Sequence, residues 1–197
     1  MLPLILDVTH LSIFVIGGGA QAQRRLRLLD EAQAQNVLVY CDGEVPEMQA
    51  LAGQRFQHRL PNDNEIASAD LIFVANLDEA HAAHITEIAR AHKTLINVED
   101  VKPQCDFHVP AIVRRGDLLL TASTGGQSPA LARRLKDFLT QRFPESWSVW
   151  TDEIAQARLK WREEGLGFSE VTEKSNALID EKGWLECHCP LIEKQNK

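Results

Sequence analysis

The chain has 197 residues, 44% hydrophobic and 25% charged, with a formal net charge of −7 at neutral pH, enough for one substantial core and a smaller appendage. That balance excludes a general nucleic-acid binder, which shows a basic stripe, so an anionic ligand must meet a local patch of arginines. The sequence has no apolar run long enough to cross a bilayer, "MLPLILDV" lacks the basic flank of a signal peptide, and Cys41, Cys105, Cys187 and Cys189 are too scattered for a disulfide framework. The expected compartment is the cytoplasm, with no membrane attachment.

"LSIFVIGG" reads as a buried strand, "AQRRLRLLDEAQAQ" as a helix with Leu26 and Leu29 inward, and "NVLVYCD" as a second strand. A strand at "FQHRL", a short helix near "DNEIASA", a strand at "LIFVAN", a helix at "DEAHAAHITEIARAH" and a strand at "TLINV" follow. Strands alternating with helices predict a doubly wound, Rossmann-like parallel sheet of the α/β class.

The pattern changes after Asp106. "FHVPAIVRRGDLLLTAST" predicts an antiparallel hairpin turning at "RRGD", and "SPALARRLKDFLTQRF" a helix with Ser128 as N-cap and Pro129 at its first position. Leu131, Leu135, Phe138 and Leu139 share one face of that helix. Two charged helices, "SWSVWTDEIAQARLKWREEG" and "FSEVTEKSNALIDEKGW", are separated by the breaker "GLG", with Trp147, Trp150, Ile154 and Trp161 available to pack on the chain or on a second subunit. The expected organisation is a nucleotide-binding domain over residues 1–111, a small α+β dimerisation module over 112–144, and a helical region over 145–197.

Gly17, Gly19 and Ala22 match the spacing G-x-G-x-x-G/A. In that fingerprint the glycines allow the turn and a close approach of backbone to pyrophosphate, and the third small residue lets helix pack on strand. The helix N-terminus then offers unpaired N–H groups to phosphate. Asp42, at the end of the second strand, stands where a carboxylate would accept from the ribose 2′-hydroxyl of NAD and repel the 2′-phosphate of NADP. The plainer alternative for Asp42 is a solvated turn residue in "CDGE".

"VIGGGAQAQRRLRLL" and "INVEDVKPQCDFHVPAIVRRGDLLLTASTGGQSPALARRLKDFL" resemble the precorrin-2 dehydrogenase family, the N-terminal module of siroheme synthases and its stand-alone relatives. The shared marks are the triple glycine with a following basic residue, N-V-x-D, F-x-x-P-A-I-V-x-R and S-T-G-G-x-S-P-x-L-A-R, over roughly residues 5 to 142. The resemblance implies NAD-dependent oxidation of precorrin-2 to sirohydrochlorin on an intertwined homodimer, with Fe²⁺ a second substrate in those members that also insert iron. It places cofactor contacts on Gly19, Ala20 and Gln21 and on Asp42 and Gly43, and the glycine turn adds Gly17 and Gly18 to the expected cofactor site. Its acid–base aspartate falls on Asp100.

Position supports that assignment: "TLINVED" delivers Asp100 just past a parallel strand's carboxyl end, where ligands sit in open sheets, and a carbon that loses hydride must also lose a proton to a nearby base. Asp100 or Glu99 capping a turn before "KP" is the alternative. Precorrin-2 is a polycarboxylate, and Arg24–Arg25, Arg114–Arg115 and Arg133–Arg134 come as pairs in the segments expected to border the cleft. The motifs single out Arg115 and Arg133. Thr124, Gly125, Gly126 and Ser128 form a glycine turn before a helix, which can also act as an anion nest for a substrate carboxylate.

Two departures from the family pattern stand out: Leu77 replaces a hydroxyl residue after the fourth strand, with Asp78 beside it, and Gln21 replaces a common valine. His81 and His84 lie near one helical face without an evident third ligand, and Cys187–His188–Cys189 lacks identified partners, so no bound metal is expected. Two function classes remain: the dehydrogenase, and a non-catalytic tetrapyrrole- or dinucleotide-binding carrier or sensor on the same scaffold.

Overall fold

Strand β1 (Ser12–Gly17) alternates its side chains between two cores, and the rest of the first half follows from that alternation. Ile13 and Val15 enter one core with Ala22, Leu26 and Leu29 of helix α1 (Gly19–Glu31), while Phe14 and Ile16 enter the other. Strand β2 (Asn36–Tyr40) splits the same way, Val37 and Val39 against Leu38 and Tyr40. A sheet buried on both faces needs continuous apolar strands, as "SIFVI" and "LIFVA" are.

The computed structural model describes residues 1–185, and the chain falls into two compact units divided after Val109. In the first, five parallel strands take the order β3-β2-β1-β4-β5, with β3 at Phe56–Gln57, β4 at Leu71–Ala75 and β5 at Leu95–Val98. Helix α1 and helix α2 (Pro46–Ala52) supply one core, and helices α3 (Asp63–Ser68) and α4 (Glu79–Ala91) the other. This is the doubly wound α/β architecture expected from the alternation.

Two local features depart from the sequence reading. Residues 46–52 form α2, which that reading passed over; Pro46 opens it and Met48 is wholly buried, a contribution of roughly 1.5–3 kcal/mol. Strand β3 is two residues long instead of the expected five, because Arg59 leaves the sheet edge to form an ion pair with Glu65, the N3 residue of the capping box that Asn62 makes on α3.

The second unit begins at Pro110 with the antiparallel hairpin β6 (Ala111–Arg115) and β7 (Leu118–Ala122), turning through Gly116 and Asp117. Helix α5 (Pro129–Arg142) follows, N-capped by the Ser128 hydroxyl, which accepts from the Leu131 N–H at 3.2 Å. Helices α6 (Ser146–Glu163) and α7 (Phe168–Lys182) then pack together. Trp150 stacks on Trp184 and meets Trp147 edge-on, so these three tryptophans of the helical region serve this unit's own packing. Among the described residues no helix is long and apolar enough to cross a membrane; Cys187–Cys189 lie outside them.

Candidate functional site

The loops after β1, β2, β4 and β5 converge beyond the carboxyl ends of the parallel strands. Gly17 has φ +107° and a β-carbon there would overlap the carbonyl oxygen of Ala75 on β4, so close approach of two strands, beyond the turn itself, demands glycine. Gly18 is the N-cap of α1, and its side is closed by Val45, whose Cγ1 would lie 2.7 Å from a β-carbon. Gly19 differs: φ is +74°, yet the nearest atom to a β-carbon would be the Asn76 Nδ2 at 3.5 Å. A β-carbon there would touch only the Asn76 side chain, which leaves the backbone at the start of the helix approachable by a phosphate. Ala22 is wholly buried against the sheet.

Ala20 and Gln21 continue the first turn of α1, with the Gln21 Oε1 accepting from Arg24 at 3.1 Å. Asp42 and Gly43 lie just past β2, Asp42 exposed to solvent. The glycine turn and this carboxylate therefore occupy the ends of adjacent strands, as a dinucleotide crossing the sheet requires.

On the other side of β1, the turns after β4 and β5 both pass through left-handed backbone: Asn76 has φ +54° and Asp100 φ +58°. Asn and Asp are the side-chain-bearing residues that adopt this conformation most readily. The Glu99 N–H donates to the Val74 carbonyl at 2.9 Å, tying the two turns together. Between them lies a cavity of about 240 Å³, lined by Asn76 and Leu77, by Glu99 and Val101, and by Gln104. The Gln104 Oε1 is shielded from solvent and has no hydrogen-bond partner among the described residues.

Glu99 contributes to the cavity wall, whereas Asp100 is exposed beside it. Burial pushes the Glu99 carboxyl above its ordinary range and the Asp100 charge adds to the rise, against the pull of Arg25 and Arg24. Arg25 lies over the Phe73 ring, its guanidinium carbon 5.6 Å from the centroid, with its pKa lowered chiefly by burial and supported by Glu99. Asn76 and Gln104 were not singled out from the sequence, and Arg25 entered only as one of the paired arginines. An asparagine directly after a parallel strand is a signal for the first; nothing marks Gln104.

Asp78 is the N-cap of α4, accepting from the His81 N–H at 3.0 Å, and its other oxygen faces the His81 ring. His84 pairs with Asp63 at 2.8 Å. Among the described residues no group of three or more His, Cys, Asp or Glu side chains is placed to hold a metal.

In the second unit, Arg115 is buried and committed to its own chain. Its Nε donates to the Phe143 carbonyl at 2.7 Å, Nη1 to the Arg114 carbonyl at 2.8 Å, and Glu145 pairs with it at 3.1 Å. These bonds, which clamp the end of α5, occupy the donors that the sequence motif assigned to a substrate carboxylate. Arg133 is exposed on α5. The Thr124 hydroxyl accepts from the Ser128 N–H and donates to the Ser128 carbonyl, both at 3.1 Å, closing a turn through Gly125 and Gly126 at φ +63° and +80°.

A family model described as "Putative NAD(P)-binding" matches residues 4–111. Siroheme synthase 1 of Pectobacterium atrosepticum is 32% identical over 164 residues, covering 82% of this chain and 33% of that protein. Siroheme synthase 1 of Cronobacter sakazakii is 34% identical over 148 residues, covering 74% and 31%. The chain thus spans about a third of the length of these relatives. The solved structure of SirC, precorrin-2 dehydrogenase, aligns over 94% of this chain and 93% of its own, with a TM-score of 0.75 and 25% identity. The glycine cradle, the parallel sheet and these matches together show that the chain belongs to the NAD(P)-binding family and, within it, to the precorrin-2 dehydrogenase family that SirC represents.

Proposed function

We propose that the chain is a dehydrogenase that oxidises precorrin-2 to sirohydrochlorin with NAD, a step of siroheme biosynthesis. The observation that carries the reading is the match to SirC over nearly the whole of both chains, supported by the glycine turn at the start of α1, where a side chain on Gly19 would meet only Asn76.

In this reading Gly17 and Gly18 shape the turn, and Gly19, Ala20 and Gln21 present N–H groups to the pyrophosphate. Asp42 accepts from the adenosine ribose, favouring NAD over NADP by charge repulsion, and Gly43 lets the ribose approach. Bound NAD supplies the hydride acceptor. The substrate carbon gives up one hydride and a neighbouring position one proton; Asp100 receives the proton at its carboxylate and passes it to solvent, to which it is open. Arg133 and the Thr124–Ser128 turn bind substrate carboxylates, Arg115 holding the end of α5 in place. We include in the proposal a homodimer through the second unit and a cytoplasmic location.

The test is anaerobic incubation of purified protein with precorrin-2 and NAD, following NADH absorbance. NADH formed in step with sirohydrochlorin supports the reading, and a lower KM for NAD than for NADP supports the role of Asp42. Tetrapyrrole binding without NADH formation replaces the enzyme with a carrier. Adding Fe²⁺ to the product decides whether iron is a second substrate.

A further inference from the structure

The turn after β4 brings an amide donor to a helix start that is itself made of donors. Ala75, the last residue of β4, is the ladder partner of Gly17, so the chain leaves β4 directly beside the glycine turn. Asn76 then takes the left-handed conformation at φ +54°, and its side chain lies against Gly19: a β-carbon there would be 3.5 Å from Nδ2 and 3.9 Å from Cγ. The nearer atom is the amide nitrogen. A side chain that caps a helix start presents oxygen to its N–H groups, which Asn76 does not do. The N-cap, Gly18, makes no side-chain cap either, and the first turn of α1 holds no acidic residue.

The first N–H groups of α1, which have no partner within the helix, therefore meet a further donor instead of an acceptor. The rest of the turn after β4 does not answer them. Leu77 has no polar side-chain atom, and the Asp78 carboxylate is engaged at α4, one oxygen accepting from the His81 N–H at 3.0 Å and the other facing the His81 ring. Asn76 is exposed, and no described residue takes up its amide. On its other side Asn76 borders the cavity whose lining includes Glu79 and Glu99, where an anion would be repelled. The favourable place for an anion is on the α1 side, between neutral donors drawn from two elements, and hydrogen bonds to a charged acceptor are the strong ones. Asp42, past β2, and Asn76, past β4, lie on opposite sides of β1. An anion reached from Gly19 and Asn76 is thus the middle of a ligand that crosses the sheet, not its end.

Resting on the dinucleotide reading above, we propose that Asn76 is a cofactor-binding residue: its Nδ2 donates to a pyrophosphate oxygen that the α1 N–H groups also hold. The pyrophosphate is then gripped from the turn of β1 and from the neighbouring strand β4 together. The left-handed backbone serves this contact, since asparagine adopts it readily and carries a donor as well.

Calorimetric titration with NAD and with ADP-ribose, which keeps the pyrophosphate and lacks the nicotinamide ring, tests this. Asn76→Gly removes the amide and tolerates φ +54°; it should weaken both ligands by the same factor, about tenfold, the scale of one hydrogen bond to an anion. Asn76→Asp also keeps the left-handed backbone accessible but sets a carboxylate against the pyrophosphate, so both ligands should weaken further, and more at low salt than at high salt. Thermal unfolding without ligand checks that each variant is folded, and Asn76→Asp, the closer isostere, decides the matter should Asn76→Gly not fold. Unchanged affinity in folded Asn76→Gly, an unchanged or raised affinity in Asn76→Asp, or a loss seen with NAD and not with ADP-ribose would overturn the assignment. Failure of wild-type protein to bind either ligand would instead overturn the dinucleotide reading on which it rests.

Discussion

Gly17 lies so close to Ala75 that a β-carbon on the glycine would overlap the alanine carbonyl oxygen. The two residues are partners in the β1–β4 ladder, at the point where β1 ends and the glycine turn begins. Packing of the sheet and shape of the cofactor turn therefore depend on one missing side chain.

Gly17→Ala is expected to destabilise the first unit by about 2–4 kcal/mol, since backbone must move and φ +107° is unfavourable to any side chain. Gly19→Val has a different signature: it places methyl groups beside the Asn76 side chain, where the pyrophosphate is proposed to sit, so the Kd for NAD should rise more than tenfold with a smaller loss of stability. Thermal unfolding and calorimetry on the two variants separate the roles. Unchanged NAD affinity in folded Gly19→Val would remove the glycine turn from the cofactor site.

Asp100 is best tested with Asn, which keeps the left-handed backbone at φ +58° accessible where Ala would add strain. Asp100→Asn should leave NAD binding and folding nearly intact while kcat falls about a hundredfold or more, the scale for a positioned acid or base. A wild-type kcat would shift the role to Glu99, whose carboxyl burial and Asp100 already push upward. If the variant also loses iron insertion while wild type performs it, one carboxylate serves both reactions.

Helix α5 exposes the apolar face expected from its spacing: Leu131, Leu135 and Phe138 are 50%, 38% and 48% exposed. A second copy of the chain is the proposed cover, and light scattering at micromolar concentration should give a dimer. Leu135→Glu with Phe138→Glu should give a monomer with its first unit still folded. A monomeric wild-type protein would contradict the proposal.

The Arg59 guanidinium holds the Glu65 carboxyl down to about 2, from an ordinary 4.5, with help from the Asn62 N–H. Because the folded value is the lower one, this stabilisation is present in full above about pH 4.5 and is lost as pH falls toward 2. The pair is partly open to water, with side chains 49% and 26% exposed, so Glu65→Gln should cost only about 0.5–1 kcal/mol at pH 7. Urea titrations of both proteins should show that difference shrinking steadily below pH 4.5.

The alternation of apolar strands with amphipathic helices determined the parallel sheet, because a strand buried on both faces and a helix buried on one leave distinct periodicities. Gly17, Gly19, Ala22 and Ser128 were legible for the same reason: each answers a backbone or packing demand local to its own turn. Helix α2 was not, since its seven residues carry too short a pattern, and its stability comes from seating Met48 in a core built by β1, β2 and β4. The motif arginine Arg115 could be found by spacing, but only the folded unit determines that carbonyls at Arg114 and Phe143 take its donors. The cavity is the clearest case. Asn76, Glu99 and Gln104 are up to 28 positions apart in sequence, and their meeting depends on β4 and β5 lying side by side in register, a relationship fixed by strand pairing that no local pattern encodes.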